Sequence, residues 1–280
     1  MLYSTHVGQQ RRRIIDGLSL EDLLDRLENC LELCTFKRNS PSNVLALGDD
    51  DKHPSIPAYS DQQVMRFGMK TQGAEGGAGL SIETSWENWE LIYMLNRIPL
   101  FFDPSFKCTS LQVSKNTKFS MHCDRGSPSN SSAIFGLGNF TGGGLNVFNP
   151  TEDRWEPLDI NRKFHQFSGR DCPHYTRRFK GDRYSLTWYT KVEMNKLTEA
   201  ERKELRNFGF RLPLGPIGEN WLHEADALKL VRRAKYKLNK GEFVHMERES
   251  TYLVQEPERQ EVECVAGKVR GLGTCGIYSH

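Results

Sequence analysis

Long apolar runs are missing from this chain. No segment of its 280 residues approaches the length of a membrane-spanning helix, and the first residues, through Arg11-Arg12-Arg13, lack the apolar stretch of a secretory signal. Paired cysteines are missing too: Cys30, Cys34, Cys108, Cys123, Cys172, Cys264 and Cys275 form no CxxC pair and no zinc-ligand spacing. An odd set of seven without such motifs reads as reduced thiols. The expectation is an intracellular protein, nuclear or cytoplasmic, and not a secreted disulfide scaffold. Nor is there an excess of one charge. With 38 Lys and Arg against 36 Asp and Glu the net charge is +2, so any surface for a polyanion has to be local. Gly136-Leu137-Gly138 lacks the third glycine of a dinucleotide fingerprint, Thr141 standing in its place, which removes a Rossmann reading. Nothing in the pattern fixes an oligomeric state.

What is present is His122-Cys123-Asp124, a second histidine at His174, and Arg183 within Gly181-Asp182-Arg183-Tyr184-Ser185. In extended chain, side chains at i and i+2 point the same way, so His122 and Asp124 can grip one ion while Cys123 faces away. His174, 50 residues beyond Asp124, has room to return on a remote strand as third ligand. Two imidazoles and one carboxylate on one face of a metal leave open positions for a cosubstrate and O₂, the donor set of a non-haem Fe(II) oxygenase. Arg183 lies nine residues after His174, far enough for a strand to end, turn and come back. Its planar fork suits the distal carboxylate of a keto-diacid, and Ser185 shares its face and can donate a hydroxyl to the same group. Singly, each residue has an ordinary reading: a loop tripeptide, a structural histidine, a surface cation. In this order and spacing they favour the metal site. His165 is the rival third ligand, but it has no arginine followed two residues later by serine at a suitable distance.

Four stretches, Ser110 to Asn116, Met121 to Asp124, Ile134 to Val147, and Pro173 to Thr176 continuing through Gly181 to Leu186, resemble the Fe(II)/2-oxoglutarate dioxygenases. The run Leu137 to Leu145 is similar to the TET/JBP-like branch, which hydroxylates the methyl group of 5-methylcytosine or thymine in DNA. The resemblance covers about residues 108 to 190. It implies a mainly β protein with flanking helices around a double-stranded β-helix (jelly-roll) core, with iron between the two sheets near one open end. It also implies 2-oxoglutarate and O₂ as cosubstrates, succinate and CO₂ as coproducts, ascorbate as a candidate reductant, and DNA carrying methylated bases as a partner. A base in a duplex must be unstacked into a pocket, and Asn116, Arg125, Asn130 and Arg177 are the candidates for its wall. The same chemistry on a protein side chain or small metabolite is the alternative, followed by a non-catalytic binding module.

The rest of the chain reads as support. Residues 1–62 are expected to supply a helix and a polar loop, 63–213 the catalytic core, and 214–280 an extension of unknown role. Ser19 caps a helix whose Leu20, Leu23, Leu24, Leu27, Leu31 and Cys34 recur at helical spacing, which predicts packing on the sheet. Further helices are predicted over 85–95, over 197–205 behind a capping threonine, and over 225–238, the last carrying Lys229, Arg232, Arg233, Lys235 and Lys237. Strand signals dominate from about Thr109 to Thr190, and residues 73–79 read as a flexible glycine stretch.

Overall fold

A computed structural model describes residues 6–38, 63–72, 77–215 and 222–239. The polar loop beyond Arg38, Cys264, Cys275 and the glycine-rich tail lie outside the described residues. In chain order the elements are α1 (His6–Asp16), α2 (Leu20–Leu33), β1 (Lys37–Arg38), β2 (Gln63–Gln72), β3 (Gly77–Leu80), α3 (Trp89–Phe102) and β4 (Ser110–Lys115). There follow β5 (Ser132–Leu137), β6 (Phe140–Gly142), β7 (Leu145–Asn149), β8 (Arg154–Leu158), β9 (His165–Phe167), β10 (His174–Thr176), β11 (Phe179–Gly181) and β12 (Tyr184–Tyr189). Two helices close the order, α4 (Glu199–Asn207) and α5 (Glu224–Asn239). The last residues of the predicted glycine stretch belong to β3, which pairs antiparallel with β2.

The larger sheet runs β1-β2-β4-β12-β5-β9, with β3 off β2; the smaller runs β10-β7-β8, and β11 pairs β6. Side-chain alternation explains how the larger sheet is used. Tyr184, Leu186 and Trp188 of β12, Leu111 and Val113 of β4, and Ala133, Phe135 and Leu137 of β5 all join the main core, together with Leu23, Leu24, Leu27 and Leu31 of α2 and Ile92, Leu95 and Ile98 of α3. Burying each such large apolar side chain contributes about 1.5–3 kcal/mol. The opposite face is polar, because the register sets Ser185 beside Ser114 and Thr187 beside Gln112. A one-residue slip would exchange the two faces. Across from that polar face stands the smaller sheet, whose Leu145 and Val147 meet Ile134 of β5, Phe140 and Ile160 in a second cluster. The result is a mainly β, jelly-roll architecture with flanking helices.

Two helices, α2 and α4, begin at capping side chains. The Ser19 side chain accepts from the Asp22 N–H, and Thr198 with Glu201 forms a full capping box for α4. Sequence periodicity did not predict α1. Its Arg12 is not a free surface cation: the guanidinium lies 5.4 Å from the Trp89 ring and 5.6 Å from Tyr93 and donates to the Asn207 carbonyl at 2.9 Å. Arg11 pairs with Glu90. Among the described residues, Cys30, Cys34, Cys108, Cys123 and Cys172 are free thiols, and no helix is long and apolar enough to cross a membrane.

Candidate metal centre

Met121 to Asp124 is extended chain tied by a single bridge, not a regular strand: the His122 N–H donates to the His174 carbonyl and the His174 N–H to the His122 carbonyl, both at 3.0 Å. That reciprocal pair sets the two histidines side by side, with ring centroids 4.3 Å apart. Asp124 follows on the same side as His122, and its N–H donates to the Gly169 carbonyl at 2.8 Å. Gly169 leaves room for this carboxylate: a Cβ there would collide with Asp124 Oδ2 and displace the side chain.

The three side chains converge. His122 Nε2 lies 3.6 Å from Asp124 Oδ1 and His174 Nε2 lies 3.9 Å from Asp124 Oδ2, and one donor atom from each residue lies within 4.8 Å of the others. An ion with bonds of about 2.1 Å sets neighbouring donors roughly 3 Å apart, so small inward rotations close the set on a metal. The ring nitrogens are already sorted for it. His122 Nδ1 is 2.7 Å from the Ser120 carbonyl and His174 Nδ1 is 2.9 Å from the Cys172 carbonyl. A carbonyl only accepts, so each Nδ1 carries the proton and each Nε2 presents its lone pair, the usual arrangement behind a metal-bound imidazole. Burial, and secondarily the neighbouring His122, push the His174 pKa down to about 4, against an opposing pull from Asp124; the ring is neutral and ready to ligate at pH 7. The side chain of His174 is 6% exposed and that of Asp124 30%, so the centre opens on the carboxylate side. The rival His165 is elsewhere: its Nε2 sits 2.6 Å from the Asp159 carbonyl.

Arg183 enters just ahead of β12 with its side chain almost wholly buried. Its Nε donates to the Gly143 carbonyl at 2.9 Å and an Nη to the Thr117 carbonyl at 3.4 Å. The guanidinium carbon lies 5.8 Å from the Phe140 ring and 5.4 Å from Phe179. Gly143, at φ +67°, lets the backbone come this close, because a Cβ would strike both Arg183 and Phe179. No carboxylate among the described residues pairs with this cation, and burial alone pushes its pKa down to about 10. Ser185, two residues on, is buried on the same side of β12.

The likeness to solved structures is to 2-oxoglutarate and Fe(II) oxygenases. One is an oxygenase of that family from Burkholderia pseudomallei, at 19% identity over 49% of this chain and 73% of the other, TM-score 0.36. A prolyl hydroxylase of Trichoplax adhaerens, in complex with a hypoxia-inducible-factor peptide, aligns at 15% identity over 71% of this chain and 96% of its own, TM-score 0.39. NgTET1 in complex with 5mC DNA aligns at 13% identity over 46% and 60%, TM-score 0.34. No protein-family model matches the chain, and no curated protein matches it.

The residues suggested for a substrate wall each make contacts of their own. The Asn116 side chain, at φ +47°, accepts from the Arg183 N–H at 2.7 Å and donates to Asp182 at 3.0 Å, bracing the turn that delivers Arg183. Arg125 reaches the start of α5, where its Nε donates to the Leu222 carbonyl at 3.3 Å. Asn130 is exposed, and its N–H donates to Ser168 Oγ at 3.1 Å. Arg177 is half-buried beside the glycine run, its N–H donating to the Gly144 carbonyl at 2.9 Å. Sequence reasoning missed the carbonyls of Ser120, Cys172 and Thr117, which any residue type supplies, and Gly169, whose role depends on a contact 45 residues away. It also missed Gln112 and Thr187 on the polar face, which the alternation in Ser110-Leu111-Gln112-Val113-Ser114 could have revealed.

Proposed function

We propose that this chain is an Fe(II)- and 2-oxoglutarate-dependent dioxygenase that hydroxylates a C–H bond. The observation that carries the reading is the pair of sites: three donors preset for one ion, and a buried arginine with no carboxylate partner among the described residues. The donor set fits Fe(II), with His122, Asp124 and His174 as ligands and open positions on the ion. When bound, iron with 2-oxoglutarate and O₂ supplies the oxidising power for hydroxylation, and the protein supplies the rest. Arg183 takes the distal carboxylate of 2-oxoglutarate, with Ser185 donating its hydroxyl. The carbonyls of Ser120 and Cys172 hold both imidazoles in the ligating tautomer. The apolar cluster of Ile134, Phe140, Leu145 and Val147 keeps water from the space between the sheets.

The substrate we assign is the 5-methyl group of a modified base, 5-methylcytosine or thymine, in DNA. Support comes from the Leu137 to Leu145 stretch and from a local concentration of positive charge: Lys118 lies 5.9 Å from the Phe179 ring that also faces Arg183, and burial and then Arg178 lower its pKa. Arg177, Arg178 and Lys180 flank Phe179 in the sequence at the start of β11, a concentration of charge that suits phosphates. The near-neutral net charge favours a second reading, the same chemistry on a protein side chain or metabolite. Anaerobic titration with Fe(II) and 2-oxoglutarate, followed by succinate release in air with and without 5-methylcytosine DNA, tests all of this. A weak visible charge-transfer band and DNA-stimulated succinate are expected. A band without stimulation removes the DNA substrate; no band from folded protein removes the centre.

A further inference from the structure

The outer face of the metal-bearing segments is covered by α5. Met121 and Cys123 alternate with His122 and Asp124, and where the ligands turn inward these two turn outward, each 6% exposed. They pack in one cluster with Phe148, Trp155 and the α5 residues Ala227, Val231 and Ala234, and Tyr175, which follows His174, packs against the same cluster. Every one of the three ligands thus has a chain neighbour in, or packed against, the cluster to which α5 contributes. Polar ties hold both ends of that helix. At its start the Leu222 N–H donates to the Arg125 carbonyl at 3.2 Å, while Arg125 returns Nε to the Leu222 carbonyl and lies 3.4 Å from Glu224. Towards its end, Asp153, in the turn between β7 and β8 at φ +54°, receives Arg233 at 2.7 Å and Lys237 at 2.5 Å. Arg233 also lies over the Phe148 ring at 5.9 Å. The basic residues of α5 are therefore partly consumed in holding it to the sheet.

We infer that α5 is the outer support of the metal centre, with Cys123 and Arg125 as positioning residues, so that the seating of α5 sets how tightly a divalent ion is held by His122, Asp124 and His174. The inference rests on the proposed metal centre. Its physical basis is that His122 and Asp124 sit on extended chain with one bridge to β10, not within a sheet. Its backbone is held by the His174 and Gly169 carbonyls; on its outer side Met121 and Cys123 pack in the cluster that α5 shares with Phe148 and Trp155. Letting α5 shift gives Cys123 room to move, and a displacement of Cys123 is transmitted through the backbone to the ligands on either side. Outer-shell partners of metal ligands typically change metal affinity about 10- to 100-fold.

The test uses the full chain and Co(II) as the metal, read by its visible absorption under anaerobic conditions, with amide exchange across 121–125 and across α5 in the metal-free protein. The variants are the double R125Q/D153N, which unties both ends, and V231D, which places a carboxylate in the apolar interface and drives the helix off. The expected result is Co(II) affinity lowered about tenfold, an altered Co(II) spectrum, and faster exchange at 121–125. If α5 exchanges faster in either variant while Co(II) affinity stays within twofold of the native chain, the support role is overturned. Native protein that binds no Co(II), or binding that survives His174→Ala, overturns the metal centre itself and is recognised in the native and His174→Ala samples alone.

Discussion

The two ends of the site meet opposite electrostatic conditions. At the His122, Asp124 and His174 end, the protein gathers three electron-pair donors, orients them with backbone carbonyls and leaves the carboxylate partly open to water. At the Arg183 end it buries a cation among two carbonyls and two aromatic rings, with no anion beside it among the described residues. The first arrangement lacks a positive charge and the second a negative one. A buried unpaired charge is costly, and a carboxylate arriving at this depth would offset that cost. An ion at one end and a dicarboxylate spanning to the other would satisfy both.

The sharpest way to break the comparison is to remove a donor. Asp124→Ala or His174→Ala is expected to weaken Fe(II) or Co(II) binding by more than about 100-fold, beyond the usual cost of an outer-shell change, whereas His165→Ala leaves binding unaltered. Equal losses in all three variants would mean that the ion sits elsewhere. Arg183→Met comes next. Truncating one partner of a buried charge pair costs about 2–5 kcal/mol, so 2-oxoglutarate should bind at least roughly 30-fold more weakly with metal affinity unchanged. The ligand-free variant should be no less stable than the native chain, because an unpaired buried charge has gone. A thermal shift with 2-oxoglutarate that survives the substitution would refute the carboxylate role.

Much of this contrast was visible in the sequence, because the chemistry constrains residue identity. An HxD pair needs i, i+2 spacing, and β12 shows its alternation plainly in Tyr184-Ser185-Leu186-Thr187-Trp188, so its observed bounds match the signal. Capped, periodic helices such as α2 and α4 were legible for the same local reasons. The three-residue strands β9, β10 and β11 were not, since a period of two cannot be read over so few positions. α1 was hidden because it is tied down by contacts made across the fold, Arg12 on Trp89 and Tyr93 and Ile15 in the main core. The depth of Arg183 was equally invisible. Its burial depends on Gly143, Phe140 and Phe179 arriving from other elements.

A pH titration sharpens the contrast at the metal end. The His174 pKa lies near 4 in the folded chain and near 6.5 in the unfolded one, so between these values the unfolded state binds the extra proton. Stability of the metal-free protein should therefore fall as pH drops from about 6.5 to about 4, by on the order of 1–3 kcal/mol from this residue. Thermal melts of native and His174→Asn protein across that window check it: the native curve should fall more steeply, and parallel curves would show that His174 is not buried neutral.

Ser185→Ala asks whether the carboxylate end works by charge alone. The hydroxyl is neutral, shares Arg183's side of β12 and is buried, so its loss removes one hydrogen bond and leaves the cation in place. A neutral hydrogen bond contributes about 0.5–1.5 kcal/mol, which predicts 2-oxoglutarate binding weakened roughly two- to tenfold, with the charge-transfer band at native intensity under saturation. The ratio to Arg183→Met is the informative quantity. If Ser185→Ala costs as much as Arg183→Met, the pocket recognises its ligand by hydrogen-bond geometry, and the electrostatic contrast between the two ends fails. If it costs nothing, Arg183 holds the distal carboxylate without the serine.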